Sequence, residues 1–283
     1  MPGHFRFKAT AVGAGGHLTI PFSELIEVQA ATALFGIGGR GSARSAGFRH
    51  REILSFDLAQ TEVTGSVVPA DDKTPVYYTQ AKATVEGLNV MDMVTADRIV
   101  ANLVSTHTGD KRTEPSVRLV GSRFENLKIA GSLIEIESSV CTLDKYDTWS
   151  ALRDSYTEDE VNSLFATDPV NAKGQAAPPG VRRWFSPLAQ GPQLLSSAGV
   201  AHTSIVRKLG PADDCLDIYG NIVHVKGFGV IRLGEVAISP WTRALTMLQI
   251  ELGCPVNGEM SFNYVEDGGS PPWDNPDPDG AVS

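Results

Sequence analysis

Apolar and polar residues alternate along much of the chain, in short runs separated by Gly, Asn, Asp or Pro. Between residues 57 and 137 this period of two predicts half-buried β-strands, because successive side chains of a strand point to opposite faces of a sheet. The segment "AKATVE" (81–86) places its Ala and Val residues on one face and its Lys, Thr and Glu residues on the other. The chain is therefore predicted to be mainly β. Near its end, "TRALTMLQIEL" predicts one further apolar face, formed by Ala244, Thr246, Leu248, Ile250 and Leu252.

A short motif occurs three times, as "EGLNV" at 86–90, "ENLKI" at 125–129 and "KGFGV" at 226–230. Each copy has a charged residue, then Gly or Asn, then a large apolar residue, and a β-branched residue two positions later. Gly or Asn at a fixed place indicates a corner or a bulge, where other side chains would be strained. Such units build antiparallel β folds. We therefore predict an antiparallel sandwich or barrel made of strand–corner–strand repeats, and the irregular spacing disfavours a regular solenoid.

The stretch from Glu86 to Thr106 allows two interpretations. As a helix it would present Asp92 and Asp97 as candidate acids of an active site. As two strands joined by a corner it belongs to the scaffold. The flanking alternation and the two counterpart motifs favour strand, corner and strand. Asp92 and Asp97 are then corner residues, because short Asp side chains readily accept hydrogen bonds from nearby backbone amides.

One region differs from the strand pattern. Tyr146, Trp149 and Leu152 recur at helical spacing, and residues 157–160 have the form of a helix capping box. Residues 169–192 are rich in Pro and Gly and are not expected to hold long regular structure. Insertions of this kind often serve as lids or docking surfaces. The predicted division is a β domain in two parts, 1–142 and 215–265, a helical and Pro/Gly-rich insertion at 143–214, and a flexible tail at 266–283.

Lys and Arg total 24 against 33 Asp and Glu among the 283 residues, so the net charge is -9. This balance excludes a nucleic-acid surface, because phosphate binding needs a concentrated basic stripe. No run of about 18 apolar residues occurs, so no membrane span is expected. The Gly-rich segments at 11–18 and 36–44 lack the spacing of nucleotide-binding loops, and no cofactor is expected. No secretory signal is visible, which makes the cytoplasm the default location.

Four segments occur in a distinctive order: "ATVEGLNVMDMVTADRIVA" (83–101), "LVGSRFENLKIAG" (119–131), "VKGFGVIRLGEV" (225–236) and "ALTMLQIEL" (244–252). Together they resemble bacterial all-β proteins of the choice-of-anchor P type, and "VTAD" is the most specific piece. The resemblance covers residues 60–137 and 220–265, and the insertion departs from it. It implies an anchored, extracellular surface protein of unassigned activity, and no catalytic residues come with it.

The densest group of potentially reactive side chains lies in "FRHREILSFD" (48–57). On a strand, Arg49 and Arg51 would share one face, with His50 and Glu52 on the other. His50 with Glu52 is then a candidate general base with its orienting acid. Arg49 and Arg51 are candidate ligand-binding residues. A solvated strand face or an ion-pair network accounts for the same residues and is the favoured interpretation.

Asp213, Asp214 and Asp217 are candidate metal ligands, because calcium prefers clustered carboxylates and loop carbonyls. A turn that closes the insertion is the alternative. Among the three cysteines, Cys141 and Cys215 bracket the insertion and are a candidate disulfide. In an oxidising compartment such a bridge would contribute roughly 4 kcal/mol by the loop-closure estimate. Buried free thiols are the alternative.

Two classes of function remain open. The first, favoured by the strands, the repeat and the lack of a catalytic motif, is a non-catalytic structural or interaction protein. It would act through self-association as a homo-oligomer, or by binding a protein partner. The second is a β-barrel enzyme, or a small-molecule- or carbohydrate-binding protein, with a pocket covered by the insertion at 143–214. Trp149 and Trp184 are its candidate ligand-binding residues, with packing in the core as the alternative.

Overall fold

Two large antiparallel sheets stack face to face around one main apolar core, which confirms the predicted mainly β fold with an added helical and loop region. Because both sheets have free edge strands, the architecture is a sandwich and not a closed barrel. The computed structural model describes residues 5–69, 74–109, 113–165, 170–171, 173–185, 199–210, 216–253 and 255–270.

The strands are β1 (Arg6–Ile20), β2 (Glu24–Gly36), β3 (Gly39–His50), β4 (Leu54–Pro69), β5 (Pro75–Val90), β6 (Val94–Thr108), β7 (Ser116–Arg118), β8 (Arg123–Glu125), β9 (Lys128–Ile129), β10 (Ser132–Leu133), β11 (Ile136–Ser138), β12 (Ala201–Ser204), β13 (Val206–Leu209), β14 (Leu216–Tyr219), β15 (Ile222–Val225), β16 (Gly229–Ile238), β17 (Thr242–Leu252) and β18 (Asn257–Ser270). The helices are α1 (Val140–Lys145), α2 (Trp149–Asp154), α3 (Asp159–Asn162) and α4 (Pro179–Arg182), with a 3-10 turn at Ser163–Phe165.

Sheet A has the order β14–β15–β16–β17–β18–β1–β2, with β12 also paired to β16. Sheet B has the order β10–β9–β6–β5–β4–β3, with β7 and β8 also paired to β6. In sheet A, β1 pairs along its length with β18, from Arg6 opposite Ser270 to Ile20 opposite Asn257. β1 and β18 also pack against β5 of sheet B. The edge strands β2 and β3 lie next to each other on one side of the sandwich.

The repeated motif marks positions where the backbone is left-handed, as the predicted corners require. Gly87, Asn126 and Gly227 have φ values of 64°, 51° and 79°. Gly47 also has a φ of 65° and is followed by a large apolar residue, Phe48, but it lacks the charged and β-branched residues of the motif. Only Gly, and to a lesser degree Asn, adopts this conformation at low cost, which explains the residue types at these positions.

Left-handed residues alternate with aspartates in a row across sheet B. Gly47 on β3 lies opposite Asp57 on β4, and Gly87 on β5 comes next. A Cβ atom added at Gly87 would lie 2.2 Å from Asp57 Oδ2, so only Gly fits there. Asp97 on β6 lies opposite Gly87, and its Oδ2 accepts a hydrogen bond from Asn126 Nδ2 at 2.6 Å.

Sheet A contains a second row of left-handed residues. Its members are Gly234 on β16, Asn263 on β18 and Ala30 on β2, with φ values of 63°, 53° and 51°. The Asn263 amide donates across the sandwich to the carbonyl oxygens of Ala83 at 3.2 Å and Ile99 at 2.6 Å. These bonds fix the two sheets relative to each other inside the core.

Each row changes which residues of a strand face the core. On β5 the core contains residues 81, 83 and 85 before the left-handed Gly87, and 88 and 90 after it. The left-handed residue shifts the inward alternation by one position, while the pairing register on either side of it stays the same. On β17 the core accordingly contains Leu245 and Met247. The prediction that Ala244 and Thr246 belong to the apolar face was therefore wrong.

The stretch 86–106 is strand, corner and strand, as predicted. β5 ends at Val90, and Met91 and Asp92 are left-handed residues of the turn into β6. The Asp92 backbone N–H donates to Asn89 Oδ1 at 2.8 Å, so Asp92 is a corner residue. Asp97 lies inside β6, and its assignment as a corner residue was wrong.

The helical part of the insertion is fixed to sheet A by one buried cation. Arg243 on β17 is fully buried and donates to the carbonyl oxygens of Leu143 at 3.3 Å and Tyr146 at 2.8 Å. Burial lowers the pKa of Arg243 to about 10, against the opposite effect of Asp147 and Asp144. The guanidinium thus remains charged at neutral pH and neutralises the end of α1.

The insertion and the tail differ in detail from the prediction. Residues 143–214 also contain β12 and β13, and β12 pairs with β16. β18 runs to Ser270, so sheet A extends into the range 266–283. The predicted capping box is absent, because α3 begins after Glu158 and no side chain caps it. Within the described ranges, no helix is long and apolar enough to cross a bilayer.

Candidate functional site

The predicted pairing of His50 with Glu52 was wrong. β3 ends at His50, and Arg51 has a φ of 52°, so the chain turns before Glu52. Glu52 accepts a hydrogen bond from Arg49 at 2.5 Å. His50 Nε2 lies 3.7 Å from Glu24 Oε1, and Arg51 pairs with the same carboxylate at 2.7 Å. These residues form a surface ion-pair network, the alternative that the sequence favoured.

The two tryptophans proposed as pocket residues have different environments. Trp149 is buried in the main core, where α2 packs, and is not available to a ligand. Trp184 follows α4 and lies over the outer face of sheet A. Its ring centroid is 3.6 Å from the Arg232 guanidinium and 4.8 Å from that of Arg183. Trp184 is therefore the one of the pair that lies beside a cleft.

A cleft of about 710 Å³ separates Trp184 and Arg183 from the outer face of β17, β18 and β1. α4 is held above the sheet by Val181 and its apolar neighbours, which pack on the β14–β15 hairpin. Glu251 on β17 and Glu259 on β18 are direct cross-strand partners and line the cleft together. Glu251 forms an ion pair with Arg183. We name these residues, with Arg232, the α4 cleft.

Charged groups of both signs are concentrated beside the α4 cleft. Arg232 is mostly buried and pairs with Glu235 at 2.7 Å and Glu259 at 3.3 Å. Burial lowers the pKa of Arg232, and the neighbouring glutamates oppose this only in part. Burial raises the pKa of Glu235, but His202 and Arg232 outweigh that effect and hold it below its usual value. Glu235 is therefore a carboxylate at neutral pH.

Three buried polar atoms of this region have no hydrogen-bond partner among the described residues: Glu251 Oε2, Gln249 Oε1 and Trp184 Nε1. Buried polar atoms are normally paired with protein, water or ligand, so the cleft has unused binding capacity. His17 Nε2 at its rim lies 3.0 Å from Ser23 Oγ. No described carboxylate forms an ion pair with His17, so His17 and Ser23 do not form a Ser–His–acid triad with a described residue.

Sequence reasoning missed Arg232, Glu251 and Glu259. Each is a single charged residue on the outward face of an alternating strand, which by itself indicates only a solvated surface. These residues are recognised as a site only from the pairing register of the strands, which places Glu251 opposite Glu259. That register is a property of the folded sheet.

A second open cavity, of about 840 Å³, lies beside the two-stranded β11–β13 ribbon. Asp217 is on β14, where its carboxylate lies 3.7 Å from His224 Nδ1. Asp213 and Asp214 lie outside the described residues. Within the ranges that are described, no group of three His, Cys, Asp or Glu side chains is placed to hold a metal ion.

The candidate disulfide stays a prediction. Cys141, on α1, is an exposed free thiol in the structure. Cys215 lies outside the described residues. The alternative of a buried thiol is wrong for Cys141, whose residue is exposed.

Exposed apolar side chains follow β2 and its two ends. They are Ile20, Phe22, Leu25, Val28, Phe35 and Ile37, with exposed fractions between 47% and 86%. β2 is 13 residues long and pairs only with β1 in the described structure, so its other edge has unpaired backbone groups. Beside it, β3 carries the exposed residues Arg40, Arg44 and Arg49. We call the outer side of β2 with these apolar residues the β2 edge.

Asp267 on β18 is fully buried, and neither of its carboxylate oxygens has a well-formed hydrogen bond among the described residues. Burial raises the pKa of Asp267 to about 8, against the smaller opposite effect of Ser105 and the Gly268 amide. The carboxyl group is therefore protonated at neutral pH. It is enclosed and cannot reach a substrate.

The family described as "Domain of unknown function (DUF8256)" matches residues 5–239 of the chain. No curated protein matches it. No solved structure matches it either. The resemblance to choice-of-anchor P proteins stays a prediction.

Proposed function

The chain belongs to the DUF8256 family, whose description assigns no activity, and we propose that it is a non-catalytic β-sandwich that acts by self-association through the β2 edge. The observation that carries the proposal is the coincidence of a long unpaired strand edge with a row of exposed apolar side chains. An exposed, long and apolar edge strand is a template for pairing with another chain.

Charge favours β2 over the neighbouring edge strand. Natural proteins protect free strand edges with charged residues, and β3 carries three exposed arginines. β2 contains no Lys, Arg or Pro residue, and its charges are limited to Glu24 and Glu27. The unprotected edge is therefore the one with the apolar side chains.

The proposed partner is a second copy of the chain, with β2 antiparallel to its symmetry mate. A two-fold axis makes the same patch complementary to itself, and it brings the two apolar rows together while the backbone groups of both edges pair. The two sheets A would then form one continuous sheet. Apolar burial and strand pairing would stabilise the dimer together.

The test compares the molar mass of the protein, by light scattering after size exclusion, across a range of concentrations. The wild type is expected to form dimers, and the double variant Leu25→Lys/Phe35→Lys is expected to remain monomeric. Leu133→Lys is the matched control, because Leu133 is equally apolar, is 53% exposed and lies on the short strand β10. A wild type that stays monomeric at high concentration, or a double variant that still dimerises, would refute the proposal.

A further inference from the structure

We infer that the α4 cleft is a binding site for a small organic cation, a ligand with an ammonium or guanidinium group, and that Glu251 is its anionic partner. This inference is independent of self-association, since the cleft and the β2 edge do not share residues. The cleft has a volume of about 710 Å³, enough for a small molecule.

The chain itself shows that a cation fits at this place. Arg183 forms an ion pair with Glu251, and its guanidinium lies 4.8 Å from the Trp184 ring centroid. A carboxylate beside an indole ring is a favourable environment for a cation, because both present negative potential. The Arg183 side chain is 54% exposed, so a ligand that takes its place beside Glu251 leaves the guanidinium in water.

The charges and hydrogen-bonding atoms remaining in the cleft also favour a cation. Three carboxylates, Glu235, Glu251 and Glu259, are paired with two guanidiniums, Arg183 and Arg232, and His202 lies 3.6 Å from Glu235. Glu251 Oε2, on a residue that lines the cleft, and Gln249 Oε1, two positions earlier on β17, are buried acceptors without a donor among the described residues. A ligand that supplies N–H donors and positive charge satisfies both deficits, whereas an anion would pair only with the unpaired Trp184 Nε1–H donor and would add to the negative charge.

A sugar stacked on Trp184 fits the cleft less well. The Arg232 guanidinium already lies 3.6 Å from the ring centroid, and Arg183 lies near the same ring. Stacking needs an open aromatic face, so a sugar would have to displace a mostly buried arginine. At Trp184, binding of a carbohydrate is therefore less favourable than binding of a cation.

The test is calorimetric titration of the full chain at low ionic strength with agmatine, which carries a guanidinium and an ammonium group. Saturable binding is expected, and Glu251→Gln should weaken it at least about tenfold, because a hydrogen bond to a charged group is lost. Arg183→Gln should instead tighten it several-fold, because it removes the cation that competes for Glu251. Glu62→Gln, on β4 of the other sheet, is the control and should bind as the wild type does.

Three results would overturn the inference. They are no saturable agmatine binding by the wild type, equal affinity of the wild type and Glu251→Gln, and tighter binding of N-acetylglucosamine than of agmatine. If Glu251→Gln does not fold, the titration of Arg183→Gln with agmatine decides the question. An agmatine affinity of Arg183→Gln that is equal to or weaker than that of the wild type also contradicts the proposed site. The variant Leu25→Lys/Phe35→Lys should bind agmatine as the wild type does, because its substitutions lie outside the α4 cleft. Failure of dimerisation and failure of agmatine binding are therefore distinguishable.

Discussion

Replacement of Asp267 by Asn is expected to stabilise the protein, and to do so increasingly as the pH rises. Burial holds the pKa of Asp267 at about 8 in the folded state, against an ordinary value of 3.8. The folded chain therefore binds one more proton than the unfolded chain between these values. Its free energy of unfolding falls as the pH rises through this window and levels off above the folded pKa.

The size of the effect follows from the width of the window. Each pKa unit corresponds to about 1.4 kcal/mol, and at neutral pH about three units separate the pH from the unfolded pKa, giving an upper limit of about 4 kcal/mol. Asn keeps the shape and the neutral polar character of a protonated Asp, so it removes this pH-dependent penalty without creating a cavity. We expect a stabilisation of about 2–4 kcal/mol at neutral pH and almost none near the pH where unfolded Asp titrates.

Urea unfolding followed by circular dichroism, at several pH values between about 4 and 8, measures the difference between variant and wild type. Glu266→Gln is a matched control on the adjacent position. Burial raises the pKa of Glu266, but hydrogen bonds from Lys8 and Tyr264 outweigh it and lower the value overall. Its stabilising contribution is present above the ordinary Glu pKa and is lost as the pH falls, so this control should show the opposite sign. A stability difference for Asp267→Asn that does not change with pH would refute the reasoning.

Two further substitutions test the scaffold. Gly87→Ala should destabilise the fold by about 2–3 kcal/mol, because the left-handed φ disfavours Ala and the new Cβ would meet Asp57. Gly131→Ala, also at positive φ but with nothing within 4 Å of the new Cβ, should cost only about 1 kcal/mol in the same urea experiment, and equal costs would contradict the packing argument. Arg243→Met should cost about 2–4 kcal/mol, because it leaves the carbonyl oxygens of Leu143 and Tyr146 without a donor. Hydrogen exchange should show faster exchange in α1 for this variant, and unchanged protection there would contradict its anchoring role.

The strands were predictable because their signal is local. Alternation over a few residues is enough to identify β5 and β6, and Gly or Asn in the repeated motif indicated the left-handed backbone at Gly87, inside β5, and at Asn126. The same alternation failed at Ala244, because the apolar face of β17 moves by one residue where Gly234 and Asn263 of the neighbouring strands are left-handed. The row of left-handed residues forms only when the strands pair, so the sequence of a single strand does not reveal it.

The candidate site was less predictable for a related reason. Trp184 was identified as a pocket residue, but Arg232, Glu251 and Glu259 come together only through the register of sheet A and the position of α4. His50 and Glu52 were placed on one face by assuming a continuous strand, and the turn at Arg51 separates them. The alternation of apolar and polar residues predicts that a strand is present, but it does not predict where the strand ends. Here the strand ends at a turn that the neighbouring polar residues did not indicate.

The pairing of β1 with β18 orders the events of folding. Strands β3 to β6 of sheet B are consecutive in the chain and can pair by successive hairpins as they emerge during synthesis. In sheet A the hairpin β1–β2 and the successive strands β14 to β18 can pair in the same way, but the two groups join only through the β1–β18 ladder, where Arg6 lies opposite Ser270. Until β18 has been made, β1 and β17 lack the strand that lies between them. The nascent chain must therefore keep these apolar strands from pairing wrongly until almost its whole length has been synthesised, and its slowest step should be the closure of this long loop.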